Sequence, residues 1–316
     1  MGITKNTQSN ENIKRMVAHA FPEKELVSYE ELTEGLCNVA YLITFSDGTK
    51  SILKIAAADN QGYLTNEVNL MDAEVKAMEL ARGNIPAKVA KVVLFDEEKQ
   101  LCTGKYFFME YIEGDNYFSM QDSYSEEERV QISFQLGQIV KQMSAITGEA
   151  FGQLGDEVHC FLSQYELTRH MLSNVIGDAD RKSVEYFISG EELLRMLERD
   201  RDIFTEVKKP SLVHYDLWEG NVFVKDKKVV GIIDWERALW GEPLMEDRFR
   251  RHTRNEAFLK GYGQENFTNA QMRRIYWYDI LLFLTMMTEG QYREYEDDWM
   301  YRWIAPLYEA SLKELL

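Results

Sequence analysis

The chain has 316 residues, 45% of them hydrophobic, so it can form one large or two modest domains around a sizeable core. Its 36 basic and 53 acidic side chains leave a net charge of −17, which argues against a nucleic-acid or anionic-membrane partner, because both require a basic face. The same charge fits a cationic small-molecule partner, and acidic residues that only maintain solubility explain it equally well.

Cysteine usage and apolar runs bear on the compartment. Cys37, Cys102 and Cys160 are far apart, odd in number and outside any zinc-binding spacing, which predicts free thiols in a reducing cytoplasm. The N-terminal segment lacks the apolar stretch of a signal peptide. The longest apolar run, at residues 280–287, is far shorter than the roughly 20 residues of a membrane span. We therefore expect a cytoplasmic protein with no membrane partner, a monomer or a weak dimer.

The first elements along the chain predict a helix and then strands. Residues 10–20 have the apolar spacing of a short amphipathic helix. Residues 32–56 have strand character, with Asp47-Gly48 as a hairpin turn and a return strand that carries Lys54 among apolar neighbours. A lysine in such a strand is unusual unless its ammonium has a partner, and an edge-strand lysine that reaches solvent is the alternative.

One helix and two more strands complete this part of the sequence. Residues 65–82 predict a helix, with Thr65 or Asn66 as its N-cap. Residues 88–95 and 105–112 predict two strands around a charged turn. Up to this point the chain is therefore a mostly antiparallel sheet with one internal helix.

Beyond residue 112 the sequence is mostly helical. Residues 125–146 begin with a capping box from Ser125 to Glu128 and continue with one apolar face. Further helical patterns occur at residues 191–207, 244–260 and 270–288. We predict an α+β fold with two lobes: residues 1–112 form the sheet-rich lobe, and residues 113–316 form the helical lobe. His159, His170 and His252 show no metal-binding spacing.

The most informative polar pattern lies at residues 211–236. His214 and Asp216 are two residues apart, Asn221 follows five later, and Asp234 comes eighteen after Asp216. Two short apolar runs with a polar turn between them predict a hairpin that returns Asp234 to the loop of Asp216 and Asn221. Mg²⁺ prefers oxygen ligands from one or two carboxylates, together with phosphate oxygens. The stretch therefore predicts a magnesium–phosphate site.

Phosphoryl transfer requires that phosphates be held, that a metal neutralise charge, and that an acceptor hydroxyl be aligned. The sequence offers a candidate for each task. Gly35 would let backbone N–H groups approach phosphates, and Lys54 would supply a cation held by Glu74 or, less favourably, Glu67. Asn221 and Asp234 would bind Mg²⁺, and Asp216 would accept the hydroxyl proton or orient the hydroxyl. Taken singly, Gly35 also fits a strand-end turn and Glu74 a solvated helix face.

These residues resemble the motifs of the aminoglycoside phosphotransferase and choline kinase group, which are small-molecule kinases with a protein-kinase-like fold. The resemblance covers residues 32 to about 250 and rests on His214-Tyr215-Asp216 with Asn221, on IDWE at 233–236, and on the order of GLCNVAYLI, SILKI and FFMEYIEG before them. Gly241-Glu242-Pro243 with Asp247 is similar to a further recurrent stretch of the family.

The resemblance implies a role for each residue. Asp216 corresponds to the catalytic aspartate, Asn221 and Asp234 to Mg²⁺ ligands, and His214 to a scaffold histidine that braces the loop. Lys54 corresponds to the lysine on the α- and β-phosphates, and Met109, Glu110 and Tyr111 to the segment that meets the adenine. The first lobe would then bind nucleotide, and the helical lobe would carry the catalytic loop and the substrate site.

Some positions depart from protein kinases. The phosphate loop has one glycine, and Tyr215 and Trp235-Glu236 replace the residues of a switchable protein kinase, so we expect no protein acceptor. The predicted function is transfer of the γ-phosphate of ATP or GTP to a hydroxyl of a small cationic molecule such as an aminoglycoside, which would give antibiotic resistance. The alternatives are a metabolite kinase with a fructosamine, choline-like or amino-acid acceptor, and a nucleotide-binding module without catalysis.

Overall fold

The computed structural model describes residues 5–33, 38–58 and 62–316. Within it the chain divides into two compact units. The first comprises Met1–Tyr63, Ala90–Ile112 and Arg293–Glu296, and the second comprises Leu64–Val89, Glu113–Tyr292 and Asp297–Leu316. No helix in the described part of the chain is both long and apolar enough to cross a membrane.

The first unit is an antiparallel five-stranded sheet with one helix. The helix is α1 (Asn10–Ala20), and the strands are β1 (Leu26–Leu32), β2 (Val39–Phe45), β3 (Lys50–Ile55), β4 (Val92–Asp96) and β5 (Tyr106–Glu110), in the spatial order β1-β2-β3-β5-β4. The buried face of α1, formed by Ile13, Met16 and Val17, belongs to the same apolar cluster as the inward side chains of β2 and β3. The predicted hairpin at Asp47-Gly48 is confirmed, because β2 and β3 pair across it.

The second unit is mainly helical. Its helices are α2 (Leu70–Ala81), α3 (Tyr117–Met120), α4 (Glu126–Met143), α5 (Gln164–Arg181), α6 (Gly190–Arg199), α7 (Glu256–Tyr262), α8 (Asn269–Tyr292) and α9 (Trp299–Leu315). Six short strands form two small sheets: β6 (Asp115–Asn116), β7 (Gly152–Gln153), β8 (Ser211–Val213), β9 (Val222–Lys225), β10 (Lys228–Ile232) and β11 (Leu239–Gly241). Their orders are β10-β9-β6 and β7-β11-β8. The predicted α+β class is confirmed.

Helix α2 begins later than predicted. Thr65 and Asn66, the predicted caps, instead form long-range hydrogen bonds: Thr65 Oγ1 donates to Asp178 Oδ1 at 2.8 Å, and Asn66 Nδ2 donates to the Met171 carbonyl at 2.8 Å. The N-cap is Asn69, in a left-handed conformation. Tertiary contacts therefore hold residues 64–69 in an irregular segment before the helix.

The other helical predictions had mixed outcomes. The capping box of Ser125 and Glu128 is present at the start of α4, and the apolar pattern at 270–288 lies inside the buried α8. The helix predicted at 191–207 ends at Arg199 and continues as a 3₁₀ turn. The prediction of a helix at 244–260 is wrong in its first half, where two 3₁₀ turns flank Glu246 in an extended conformation.

Candidate active site

The loop that follows β8 holds Asp216 and Asn221 together. Asn221, at the end of a 3₁₀ turn, donates its side-chain amide to the Asp216 carbonyl at 2.7 Å and to Asp216 Oδ2 at 3.3 Å. Asn221 is 5% exposed. The loop turns sharply at Tyr215, whose φ of 72° lies in the left-handed region. The predicted catalytic aspartate and one predicted metal ligand are therefore in direct contact.

A buried glutamate that the sequence did not single out fixes the backbone of this loop. One carboxylate oxygen of Glu246 accepts from the N–H groups of His214 at 3.0 Å and Tyr215 at 3.3 Å. The other oxygen accepts from the N–H groups of Leu217 at 3.3 Å and Asp247 at 2.9 Å. Burial raises the pKa of Glu246 to about 7, while these N–H groups act in the opposite direction. An acidic residue directly after the apolar pair Leu244-Met245 was the available signal, but the sequence pointed to the neighbouring Asp247.

The predicted hairpin is confirmed, since β9 and β10 pair as antiparallel strands around a turn at Asp226 and Lys227. Its return brings the segment before Asp234 to the loop, because the Ile233 N–H donates to the Asn221 carbonyl at 3.1 Å. Asp234 itself has a φ of 64°, which turns the chain directly after the hairpin.

His214 links the loop to the same segment. Its Nε2 lies 3.0 Å from the Ile233 carbonyl, to which it donates, and its ring packs against Trp235 with centroids 4.5 Å apart. The side chain of His214 is fully buried. A buried histidine that donates to a backbone carbonyl holds the two segments it connects in register.

Asp234 lies close to two other carboxylates of the second unit. Oxygens of Asp234, of Glu236 and of Glu74 on α2 lie within 4.8 Å of one another. Glu74 is 1% exposed and Glu236 is 6% exposed. Such a group of hard oxygen donors fits Mg²⁺, whose charge would offset the mutual repulsion of the carboxylates. Sequence spacing did not reveal that Glu74 and Glu236 lie beside Asp234.

Charge around Asp216 sets its proton affinity. Desolvation raises the pKa of Asp216 well above its ordinary value, the Arg237 guanidinium opposes this shift, and Asp234 adds to it. Arg237 Nη2 also pairs with Glu67 at 3.2 Å and with Glu289 of α8 at 3.3 Å. Glu67, the second predicted partner of Lys54, is thus an ion-pair partner of Arg237. The predictions had not singled out Arg237, which follows the IDWE motif.

The remaining predicted residues belong to the first unit. Lys54 lies on β3, 9% exposed, opposite Ala40 of β2 and Phe107 of β5. The Met109 carbonyl accepts from Ser51 Oγ at 2.7 Å. The other two residues predicted to meet the base are Glu110, the last residue of β5, and Tyr111 directly after it.

Glu110 and Tyr111 also contact residues of the first unit. The Glu110 carboxylate accepts from the Lys91 N–H at 3.3 Å, and Lys50 Nζ lies 5.1 Å from the ring centroid of Tyr111. Gly35 lies outside the described residues.

Solved structures share this fold. A putative fructosamine-3-kinase from Thermobifida fusca YX-ER1 aligns over 94% of this chain and 98% of its own, with a TM-score of 0.68 and 14% identity. A thermostable mutant of aminoglycoside phosphotransferase APH(4)-Ia, in ternary complex with ADP and hygromycin B, covers 96% and 98% with a TM-score of 0.66 and 15% identity. The GDP complex of an aminoglycoside 2'-phosphotransferase-IIIa mutant covers 96% and 98% with a TM-score of 0.69 and 16% identity.

These likenesses confirm the predicted kinase-like α+β fold. No curated protein matches the sequence. The sequence model of the phosphotransferase enzyme family (APH) matches residues 28–269, well over half of the chain. The chain therefore belongs to the phosphotransferase enzyme family.

Proposed function

We propose that this phosphotransferase moves the γ-phosphate of ATP or GTP to a hydroxyl of a small cationic molecule such as an aminoglycoside. The observation that carries the proposal is the contact between Asp216 and Asn221, in a loop fixed by Glu246 and His214. A carboxylate held this rigidly, with a raised pKa, is suited to receive a proton from an alcohol.

The second unit would also hold the metal. The Asn221 nitrogen is engaged by Asp216, so its amide oxygen is the atom suited to a cation, and Asp234 with its neighbouring carboxylates adds oxygen ligands. When bound there, Mg²⁺ neutralises charge on the nucleotide phosphates. The fit of these oxygen donors to a hard cation supports the assignment of Asn221 and Asp234.

In the first unit, Lys54 would contact the α- and β-phosphates, and residues 109–111 would meet the base. Gly35 would let backbone N–H groups approach the phosphates. The nucleotides in the related structures are ADP and GDP, which supports a nucleotide co-substrate and leaves both ATP and GTP as candidates.

The chemical step follows from the position of Asp216. The acceptor oxygen forms a bond to the γ-phosphorus as the bond from that phosphorus to the bridging oxygen breaks, and the nucleoside diphosphate leaves. The hydroxyl proton passes to the Asp216 carboxylate. The Arg237 guanidinium opposes the rise in the pKa of Asp216 and so favours the charged carboxylate, which is the form that takes the proton.

The acceptor class rests on charge and on the related structures. A net charge of −17 favours a cationic acceptor, and one related structure contains hygromycin B. A second candidate, a metabolite kinase with a fructosamine, choline-like or amino-acid acceptor, is supported by the likeness to a putative fructosamine-3-kinase. A module without catalysis is disfavoured because Lys54, Asp216 and Asp234 are all present.

A coupled nucleotide-consumption assay tests the function over a panel of aminoglycosides, macrolides, choline-like amines and sugar amines that include a fructosamine. Asp216→Ala should lower turnover by about 10²- to 10⁴-fold, the usual contribution of a general base, while nucleotide binding stays measurable. Asp122→Ala, at an exposed aspartate, is the matched control. Full turnover by Asp216→Ala refutes the assigned role. If no acceptor in the panel supports nucleotide consumption by the wild type, the non-catalytic module is favoured.

A further inference from the structure

Three side chains with metal-ligating atoms lie together outside the candidate active site. They are Asp156 and His159, in the segment between β7 and α5, and His170, in the second turn of α5. One ligand atom of each lies within 4.8 Å of the others. All three belong to the second unit. The histidines are eleven residues apart, so no familiar sequence spacing indicates this cluster.

Backbone N–H groups two and three residues further along orient the carboxylate of Asp156. Oδ1 accepts from the N–H groups of Val158 at 3.0 Å and His159 at 3.1 Å, while Oδ2 lies 2.7 Å from His159 Nδ1. The Asp156 side chain is 7% exposed, whereas that of His159 is 52% exposed. One oxygen therefore anchors the turn, and the other faces the imidazole.

His170 presents the second imidazole beside the first. The two rings have centroids 4.7 Å apart and are tilted by 30°, and Phe161 packs against His170 at 5.0 Å. The Asn174 amide nitrogen lies 3.1 Å from His170 Nε2. The Nε2 atom accepts from the amide, which leaves the proton of the neutral imidazole on Nδ1, so a metal ion would bind at Nε2 in place of this hydrogen bond. Neutral imidazole is the form that binds metal ions.

We propose that Asp156, His159 and His170 bind a divalent transition-metal ion, with Zn²⁺ as the best fit and water completing the coordination. Two imidazole nitrogens and one carboxylate oxygen form an established ligand set for Zn²⁺, whereas Mg²⁺ and Ca²⁺ select oxygen. Tetrahedral bonds of about 2.1 Å place ligand atoms about 3.4 Å apart. No separation within the cluster therefore has to contract by more than about 1.4 Å, and rotation of the exposed His159 side chain would shorten the separations that include it.

A bound ion would brace the start of α2. The segment that carries Asp156 is already bonded to the residues before that helix: Asn69 Nδ2 donates to the Gly155 carbonyl at 3.1 Å, and Gln153 Nε2 donates to the Asn66 carbonyl at 2.6 Å. An ion that connects the segment of Asp156 and His159 to α5 would restrict the motion of residues 64–69, which precede α2. The ion is therefore structural, and it would raise the thermal stability of the chain.

Zn²⁺ titration of the full chain tests the proposal, with excess Mg²⁺ present to occupy oxygen-only sites and a chromophoric chelator as competitor. The wild type should bind one equivalent and show a higher Tm. His159→Ala and His170→Ala should each weaken binding by roughly 100-fold or more, since even an outer-shell substitution costs about 10- to 100-fold. His19→Ala, which removes a histidine of α1, should bind as the wild type does.

Co²⁺ spectra and circular dichroism test the metal site further. Co²⁺ should give the visible bands of tetrahedral coordination in the wild type and lose them in Asp156→Asn, which keeps the oxygen that anchors the turn. His159→Ala alters an exposed side chain, so its circular dichroism should match that of the wild type and show that weak binding is not misfolding. Unchanged Zn²⁺ affinity in His159→Ala, or loss of binding in Asp234→Asn instead, overturns the proposal.

Discussion

Asn221 donates its side-chain amide to the backbone carbonyl of Asp216 at 2.7 Å and to its carboxylate at 3.3 Å. A single amide group thus connects the residue proposed to take the proton with the residue proposed to bind the metal. The nitrogen orients Asp216, while the oxygen remains the atom of suitable chemistry for a cation. A substitution that removes only the side-chain nitrogen of Asn221 can therefore separate the orientation of Asp216 from metal binding.

Asn221→Asp keeps an oxygen ligand but places an anion against both acceptors of Asp216. Losing a hydrogen bond to a charged group costs about 1.5–3 kcal/mol, so we expect turnover to fall by about 10- to 150-fold with nucleotide affinity less affected. Steady-state kinetics and nucleotide titration measure the two effects. Asn266→Asp, an exposed position with the same change of charge, should show neither effect. Equal loss in both variants would mean that added charge alone causes it.

Glu246 stabilises the loop that carries Asp216 through four backbone N–H groups. Glu246→Gln turns an NH₂ group towards two of these donors, and buried donors without an acceptor cost about 1–3 kcal/mol each, so we expect a loss of about 3 kcal/mol in the free energy of unfolding. Glu246→Ala should lose more. Urea unfolding gives both values, and the exposed Glu265→Gln should change stability by less than about 0.5 kcal/mol. A Glu246→Gln variant as stable as this control would contradict the bracing role.

Local patterns predicted the parts of the site that lie close in sequence. The hairpin of β9 and β10 follows from two apolar runs with a polar turn, and the start of α4 follows from the capping box at Ser125. Both depend on interactions over a few residues, so propensity and periodicity were sufficient. Strand β1 was not predicted because it is an edge strand whose side chains are partly or fully exposed, which weakens the apolar alternation.

Distant contacts account for most of what the sequence could not predict. Glu246 acts on residues about thirty positions away, and Thr65 bonds to Asp178, 113 residues on. Neither pairing leaves a periodic signal. The same holds for His159 and His170, whose proximity depends on where α5 packs. Chemistry-bearing residues could be nominated from the sequence, but their partners could not.

Asp279, an acidic residue within the apolar helix α8, is buried in the core. It accepts from Ser311 Oγ at 3.2 Å and lies 4.0 Å from Arg250 Nη1. Burial raises the pKa of Asp279 to about 6, with Arg250 acting in the opposite direction. The folded state thus binds this proton more tightly than the unfolded state does. The resulting stability is present below the unfolded pKa and is lost as the pH rises through about 6.

Asp279→Asn should remove this pH dependence. One pKa unit corresponds to about 1.4 kcal/mol. Raising the pH from about 4 to about 7 should therefore lower the unfolding free energy of the wild type, relative to that of Asp279→Asn, by up to about 3 kcal/mol. Urea unfolding at several pH values measures the shift. The exposed Asp202→Asn should track the wild type across the range. A difference between wild type and Asp279→Asn that stays constant with pH would show that Asp279 does not titrate there.

Gly137 of α4 lies where α7 crosses it at close range. A Cβ at Gly137 would overlap the Phe258 carbonyl oxygen and lie 2.6 Å from the Tyr262 nitrogen, and these backbone atoms cannot rotate away. Gly137→Ala should therefore force the helices apart, costing at least about 2 kcal/mol, within the range of overpacked cores. Urea unfolding measures the change.

Gly177 of α5 gives the matched comparison, because it is also a glycine within a helix. Its added Cβ would meet only the end of the Arg181 side chain, at 3.3 Å, and that side chain can move. Alanine is better than glycine in a helix by about 1 kcal/mol, so Gly177→Ala should be neutral or stabilising by up to that amount. The same substitution should thus be destabilising only at Gly137, because close backbone packing rather than helix propensity decides the outcome there. A Gly137→Ala variant at least as stable as the wild type would mean that α4 and α7 can separate without cost.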